Sequence, residues 1–168
     1  MTDGNFDCAV VFIIEHNEAG VVGLVLNNPL KDRLGDAMPI WDNSVFADSG
    51  LFCGGPVDTR SSMALGKFIN QSGDSESLIF ANIGVIDLGS GPESIPDNVE
   101  DLRPYVGYSG WSSMQLEAEL AANAWFVVDV HPDDIFATDG ADLWSHVLRR
   151  QKGPISWLSN YPGDPCMN

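Results

Sequence analysis

Apolar residues occupy both parities of Cys8–His16 (CAVVFIIEH), a stretch rich in β-branched side chains. A strand covered on both faces reads this way. Asn17–Gly20 carries a turn signal. A second apolar run, Val21–Leu26, is closed by Asn27-Asn28-Pro29. Two such runs about a short turn predict an antiparallel hairpin, and Gly23 inside the second marks a bulge or a close backbone approach. Leu30–Asp48 is weakly patterned, with room for a short helix around Asp32–Met38 limited by Gly35 and Pro39. Short strands are predicted at Gly50–Cys53 and Ser61–Ile69, a polar surface loop over NQSGDSES, and a strand-rich region at Leu78–Leu88. A short helix is expected around Glu93–Asp101 before Leu102–Ser109 leads into the next segment.

That segment, Gly107–Val128, reads as strand, turn, helix and strand. Ser112 with Gln115 three residues on makes a capping box, Trp111 and Leu116 are placed for a hydrophobic staple, and Asn123 is a C-terminal stop. Leu116, Leu120 and Ala124 line one side of the helix, while Met114, Ala118, Ala121 and Ala122 keep the other sides apolar or small. A helix apolar nearly all round predicts a buried central helix over about 113–122. Beyond His131-Pro132, Asp133 and Asp134 can cap a short turn over Ile135-Phe136. A helix follows from Asp139 to about Lys152, with Leu143, Trp144, Val147 and Leu148 as its apolar stripe and Gly153-Pro154 as its stop. Trp157, Leu158 and Tyr161 then fold back onto the body.

Composition sharpens the picture at one point. The chain has 168 residues, enough for a single domain with a real core, but 24 acidic residues stand against 8 basic ones, a net charge of -16. Such a surface repels phosphate backbones and anionic membranes. No apolar run reaches membrane-spanning length and no stretch resembles a signal peptide, so a cytoplasmic location is expected. Cys8, Cys53 and Cys166 fall at no metal-knuckle or redox-pair spacing.

No nucleophile elbow, phosphate loop, dinucleotide fingerprint or zinc-protease helix is present, and the sequence calls for no catalytic residue, cofactor or metal. Cys53 beside Gly54-Gly55 could pair a thiol with backbone amides in an anion nest, although a tight turn that needs glycine explains the same residues. Glu15 and His16 sit at a strand end, where polar side chains meet clefts. Glu117, flanked by apolar neighbours on the helix, needs a partner, with Arg60 or Arg103 as candidates. Asp133, Asp134, Asp139 and Asp142 lack calcium-loop spacing and read as helix caps. Arg149, Arg150 and Lys152 form a small basic patch that a helix C-terminus rationalises. The candidate ligand- or partner-binding set is Glu15, His16, Asn28, Gly54, Gly55, Trp111, Gln115 and Glu117.

Four stretches together, Asn5–Leu30, Leu51–Val57, Gly107–Val128 and the tail with Tyr161-Pro162, Asp164-Pro165 and Asn168, resemble the AlgH/YqgE family of bacterial proteins. The resemblance implies an α+β fold with a strongly coiled or closed, mostly antiparallel sheet flanked by helices, and a regulatory label. It also implies one more apolar strand before Asn5, and a Gly-Pro-Gly turn where this chain has Ser112-Ser113-Met114. Without that strand, Cys8–Ile14 is expected to be a sheet edge, covered by Ile155–Tyr161 or by a second copy in a homodimer.

Three functional readings follow. The first is a non-enzymatic regulatory or binding protein that acts through a protein partner or small ligand. The second is a small-molecule enzyme with a cleft near Glu15, His16, Gly54, Gly55 and Glu117. Direct DNA binding, the third, is opposed by the charge and by the lack of a helix-turn-helix with a basic second helix.

Overall fold

The computed structural model describes residues 6–69, 78–137 and 142–160. The fold is α+β: an antiparallel sheet nearly closed into a barrel, with a few short helices outside it. Eight strands build the sheet: β1 (Val11–Asn17), β2 (Gly20–Val25), β3 (Pro29–Arg33), β4 (Gly50–Cys53), β5 (Val57–Phe68), β6 (Leu78–Phe80), β7 (Ile83–Asp87) and β8 (Val99–Ser112). Their order is β1-β2-β8-β5-β7-β6, with β4 parallel to β8 and β3 paired to β4.

The predicted hairpin is β1–β2, and Gly23 acts as expected. A side chain there would meet Val11 Cγ1 at 2.7 Å, and β1 bulges between Ile13 and Glu15 beside it. The long β8 is the sheet's spine. Residues 99–108 pair with β5, 109–112 pair with β2, and Tyr105 and Val106 also pair with β4.

Alternation along β5, β7 and β8 puts apolar residues on both faces. Leu65, Ile83 and Tyr105 pack on one face with Phe12, Leu24, Ile135 and Val147. Ala64, Ile86 and Leu102 pack on the other with Leu34, Trp41 and Leu88. Arg103, on the first face, is buried, with no carboxylate paired to it among the described residues. Its guanidinium donates to the carbonyls of Ile135, Ala137 and Leu26 at 2.6–2.9 Å and lies 3.8 Å from the Phe52 ring centroid. It therefore binds the chain after β2 to the chain around residue 136.

Among the described residues lie four short α-helices, α1 (Leu34–Ala37), α2 (Gln115–Ala121), α3 (Pro132–Ile135) and α4 (Leu143–Arg149), besides 3-10 turns. The expectation of a buried central helix is corrected here. Within α2 only Leu116 is buried, and Met114 ahead of it is 69% exposed. Ala118, Ala121 and Ala122 face solvent. Alanine is the best helix former and has little apolar area to bury, so a stretch rich in it can stand at a surface on propensity alone. Leu116 packs with Val21 and Trp111 in a small cluster, which is the expected staple.

The capping box is also altered. Ser112 ends β8, and both its N–H and its hydroxyl donate to Gln115 Oε1. The helix begins after Met114, at φ +62°. At the other end Asn123 (φ +56°) stops the helix as expected, with its N–H on Leu120 and that of Ala124 on Glu119.

Two more expectations are corrected. Ala124–Val128 forms no strand and pairs with none among the described residues, and Glu93–Asp101 holds only a single 3-10 turn, Pro92–Ser94. Prolines at 92 and 96 and the early start of β8 leave no room for more. β3 went unseen because all of its residues are exposed, so it carries no apolar alternation; Pro29 takes the edge-strand position that proline tolerates. β5 starts four residues before its expected start at Ser61. The loop at 70–77, the start of the last helix at 139–141 and the tail at 161–168 lie outside the described residues.

Candidate functional site

The polar candidates from the sequence do not gather in one place. His16 Nε2 meets Glu117 Oε1 at 2.7 Å, so histidine, not Arg60 or Arg103, is the partner of Glu117. The carboxyl of Glu117 is held below its usual range by its own backbone N–H and by His16. Glu15, next along the strand, points away and accepts from Asn17. It lines a separate hollow with Val57, Tyr108 and Trp111.

Gly54 and Gly55 lie elsewhere, pressed against β8. A side chain on Gly54 would sit 2.4 Å from the Gly107 carbonyl oxygen, and one on Gly55 2.4 Å from the Ser109 hydroxyl. The Gly54 N–H donates to Val106 and its carbonyl accepts from Val25, both at 2.9 Å. The amide needed for an anion nest is thus already engaged, and the glycines serve a close backbone crossing. Cys53 Sγ lies 3.6 Å from the Gly55 carbonyl oxygen. Asn28 is exposed and uses its backbone carbonyl to accept from Cys53 N–H at 2.9 Å. Among the described residues no three His, Cys, Asp or Glu side chains cluster as metal ligands.

Trp111 and Gln115 lead to a different site. Beside them opens a largely apolar groove of about 690 Å³, within the usual range for ligand pockets. Phe6 through Ile13 form one wall without a gap, Ala124–Val128 with Val130 another, and Trp111, Leu116 and Leu120 a third. Trp144, Val147 and Leu148 of α4, with Leu158, close it. Asp7 is the one charged residue among the described residues that line it.

A polar clamp fixes the tryptophans of this groove. Trp111 Nε1 and Trp125 Nε1 both donate to Glu119 Oε2, at 2.9 and 2.7 Å, while Gln115 Nε2 donates to Glu119 Oε1 at 3.0 Å. Burial works against ionisation of Glu119, but the three donors outweigh it and hold its carboxyl below the ordinary range. Phe6 packs on both indoles, with ring centroids 6.1 and 5.4 Å away.

A second clamp holds the α3–α4 side. Both oxygens of buried Asp134 accept from Arg150, and Oδ2 also accepts from the His131 N–H at 3.0 Å. Desolvation opposes the charge on Asp134, and Arg150 with the His131 amide more than restores it, so this carboxyl also lies low. Of the aspartates read as caps, Asp134 performs that role on α3.

The expected covering of β1 by the tail takes another form. Gly153–Asn160 is a 3-10 helix against α4, where Leu158 reaches the groove while Trp157 is 76% exposed. Among the described residues it makes no hydrogen bond to β1. Sequence reasoning missed Phe6, Glu119, Trp125 and Trp144 as site residues. The signal available was the Gln115–Glu119 spacing of four on one helix face, with Trp111 and Trp125 flanking that helix.

Comparison with known proteins places this geometry in context. The AlgH-like family model matches residues 1–156. A UPF0301 protein of Streptomyces coelicolor is 38% identical over 175 aligned residues, covering 100% of this chain and 90% of that protein. One from Thermobifida fusca is 33% identical with the same coverage. Among solved structures, protein DIP2367 from Corynebacterium diphtheriae superposes with a TM-score of 0.84 at 27% identity, over 96% of this chain and 86% of that one. The AlgH protein from Pseudomonas aeruginosa gives 0.68 at 26% identity, over 98% and 89%.

Proposed function

This chain belongs to the AlgH-like family, and from that premise we propose that it is a non-enzymatic binding protein, regulatory in role, which works by taking a partner or ligand into the groove between β1, α2 and α4. The observation that carries the reading is the groove itself: about 690 Å³, walled by apolar and aromatic side chains, two of which, Trp111 and Trp125, are held by the Glu119 clamp. An orienting polar shell around an apolar hollow is the usual build of a recognition site. The enzyme reading needs Glu15, His16, Gly54, Gly55 and Glu117 in one cleft. Only His16 and Glu117 meet, and they do so in the open, with side chains 54% and 36% exposed. The net charge of -16 speaks for a partner that is not a nucleic acid and for work away from anionic membranes, in the cytoplasm. No helix among the described residues is long and apolar enough to cross a membrane.

Titration with a neutral apolar dye such as Nile red tests the reading. Saturable binding is expected, together with a change in tryptophan emission from Trp111, Trp125 and Trp144. Leu120→Lys, a half-buried groove position, should weaken the dye at least about tenfold while the circular dichroism spectrum stays native. Dye binding that is unsaturable, or indifferent to Leu120→Lys, would remove the groove from consideration.

A further inference from the structure

We propose that the hollow beside Glu15 is a second binding site, for a small organic cation: an amine carrying an apolar body. The hollow is separate from the groove, and Trp111 is the one residue that lines both.

Strand pairing fixes which side chains face it. Glu15 pairs with Val22, and Val22 with Gly110, so the three stand side by side on one face across β1, β2 and β8. Tyr108, two residues before Gly110, shares that face, and Val57 of β5 is its partner. Along β2 the same face continues through Leu24 and Leu26, in a core that α3 and α4 cover with Ile135, Leu143 and Val147. Tyr108 packs against that core. The hollow, of about 390 Å³, is thus where the core face runs on past its helical cover, and no residue of a helix lines it. Val22, Val57 and Tyr108 are left half-buried there.

Gly110 sets this surface apart from an ordinary exposed sheet face. Glycine inside a strand weakens it, and its position marks a bulge, a bend, or the close approach of a backbone or a ligand. The other glycines of β2 and β8 have a reason within the fold. Gly107 lies at φ +66°, a side chain on Gly20 would strike the Trp111 carbonyl oxygen, and one on Gly23 would meet Val11 Cγ1 at 2.7 Å. Gly110 has no such reason. It is outside the left-handed region, and an added Cβ would find Tyr108 Cε2 at 3.4 Å and Val57 Cγ2 at 3.6 Å, ordinary contact distances. A side chain fits there and would fill the hollow. What the bare position keeps open is the space between Tyr108 and Val57, next to exposed backbone.

Charge sets the class of ligand. Glu15 is the charged residue of the lining. One of its oxygens accepts from Asn17 Nδ2, and no lysine or arginine is paired with it among the described residues. An ammonium there gains a charged hydrogen bond and an aromatic neighbour, while its apolar body covers Val22 and Val57. The net charge of -16 draws cations toward the surface and repels anions.

Amide chemical shifts of the full, isotope-labelled chain test the site. The probe is phenethylamine, beside its neutral and anionic counterparts, phenethyl alcohol and phenylacetate. The amine should bind saturably and shift the amides of Val22, Val57, Tyr108 and Gly110. It should bind at least about tenfold more tightly than the alcohol, and phenylacetate should bind more weakly still. Glu15→Gln should erase the advantage of the amine over the alcohol. Gly110→Val, which suits a strand and puts methyl groups into the hollow, should weaken the amine at least about tenfold. Leu120→Lys, in the groove, should leave it unchanged. Equal binding of the three probes would overturn the charge of the ligand. Shifts confined to groove residues such as Trp125, or indifference to Gly110→Val, would overturn the site. Absence of saturable binding would overturn the proposal while leaving dye binding in the groove to be judged by its own titration. If Gly110→Val does not fold, Gly110→Ala takes its place, since the 3.4 Å spacing admits its methyl.

Discussion

Trp111 and Trp125, fourteen positions apart, present their indole N–H groups to a single oxygen of Glu119. One acceptor thereby fixes the end of β8 and the first residues after α2 in one arrangement, and two walls of the groove stand on it. Glu119→Gln keeps the shape and removes the charge. Because the folded carboxyl titrates below its unfolded value, its contribution is fully present above the unfolded carboxylate pKa of about 4.3 and is lost as pH falls through the lower, folded value. The variant should be less stable at neutral pH by about 1–2 kcal/mol, a modest figure because Glu119 is only half-buried. Thermal melts of the two proteins should converge as the solution is acidified, and a gap that stays constant with pH would break the assignment.

Arg150 and Asp134 pose a question of magnitude. Exposed pairs contribute about 0–1 kcal/mol, whereas stripping the partner from a buried charge costs about 3–5. Asp134 is buried and Arg150 is not, with side chains 6% and 30% exposed. Arg150→Ala leaves the carboxylate in place with the His131 amide alone, so the loss should fall between those limits, near about 3 kcal/mol. Urea unfolding at neutral pH measures it. The difference from the parent should shrink in acid, since Asp134 titrates low in the fold and its stabilisation disappears as pH drops through that value.

Met114 is held in the left-handed region at φ +62° with its side chain in solvent. A residue with a Cβ pays about 1–2 kcal/mol for that conformation, partly offset by the extra freedom that glycine has when unfolded. Met114→Gly should therefore raise stability by about 0.5–1 kcal/mol, read as a higher midpoint in denaturant at unchanged slope. A destabilised variant would mean that the Met114 side chain contributes contacts that its exposure denies.

The parts of the fold that were legible in the sequence are those whose local signal and tertiary role agree. β1, β2 and the turn between them combine apolar runs with turn residues, and Asn123 stops its helix by a conformation that its side chain tolerates. Where the two diverge, reading fails for identifiable reasons. Alanine at 118, 121 and 122 looks apolar but reflects helix propensity, so α2 was expected in the core and lies at the surface. Trp125–Val128 has the composition of a strand, yet among the described residues it pairs with none. Trp111, Gln115 and Glu117 were singled out in the sequence, and each makes a side-chain hydrogen bond, the first two to Glu119 and the third to His16. The aromatic and apolar walls could not be singled out, because Phe6, Trp125 and Trp144 come together only through the path of the chain.

β8 touches β2, β4 and β5, and it comes after all three in the chain. During synthesis the first ninety-odd residues therefore emerge as three separate strand groups, β1–β2, β3–β4 and β5–β7–β6, with nothing to join them. The sheet cannot close until Val99–Ser112 has left the ribosome, and each pairing it then makes spans a long stretch of sequence. Assembly of that kind is slow and concentrated at its end. A product released before β8 is complete would expose apolar strands with free edges, the state most prone to aggregate.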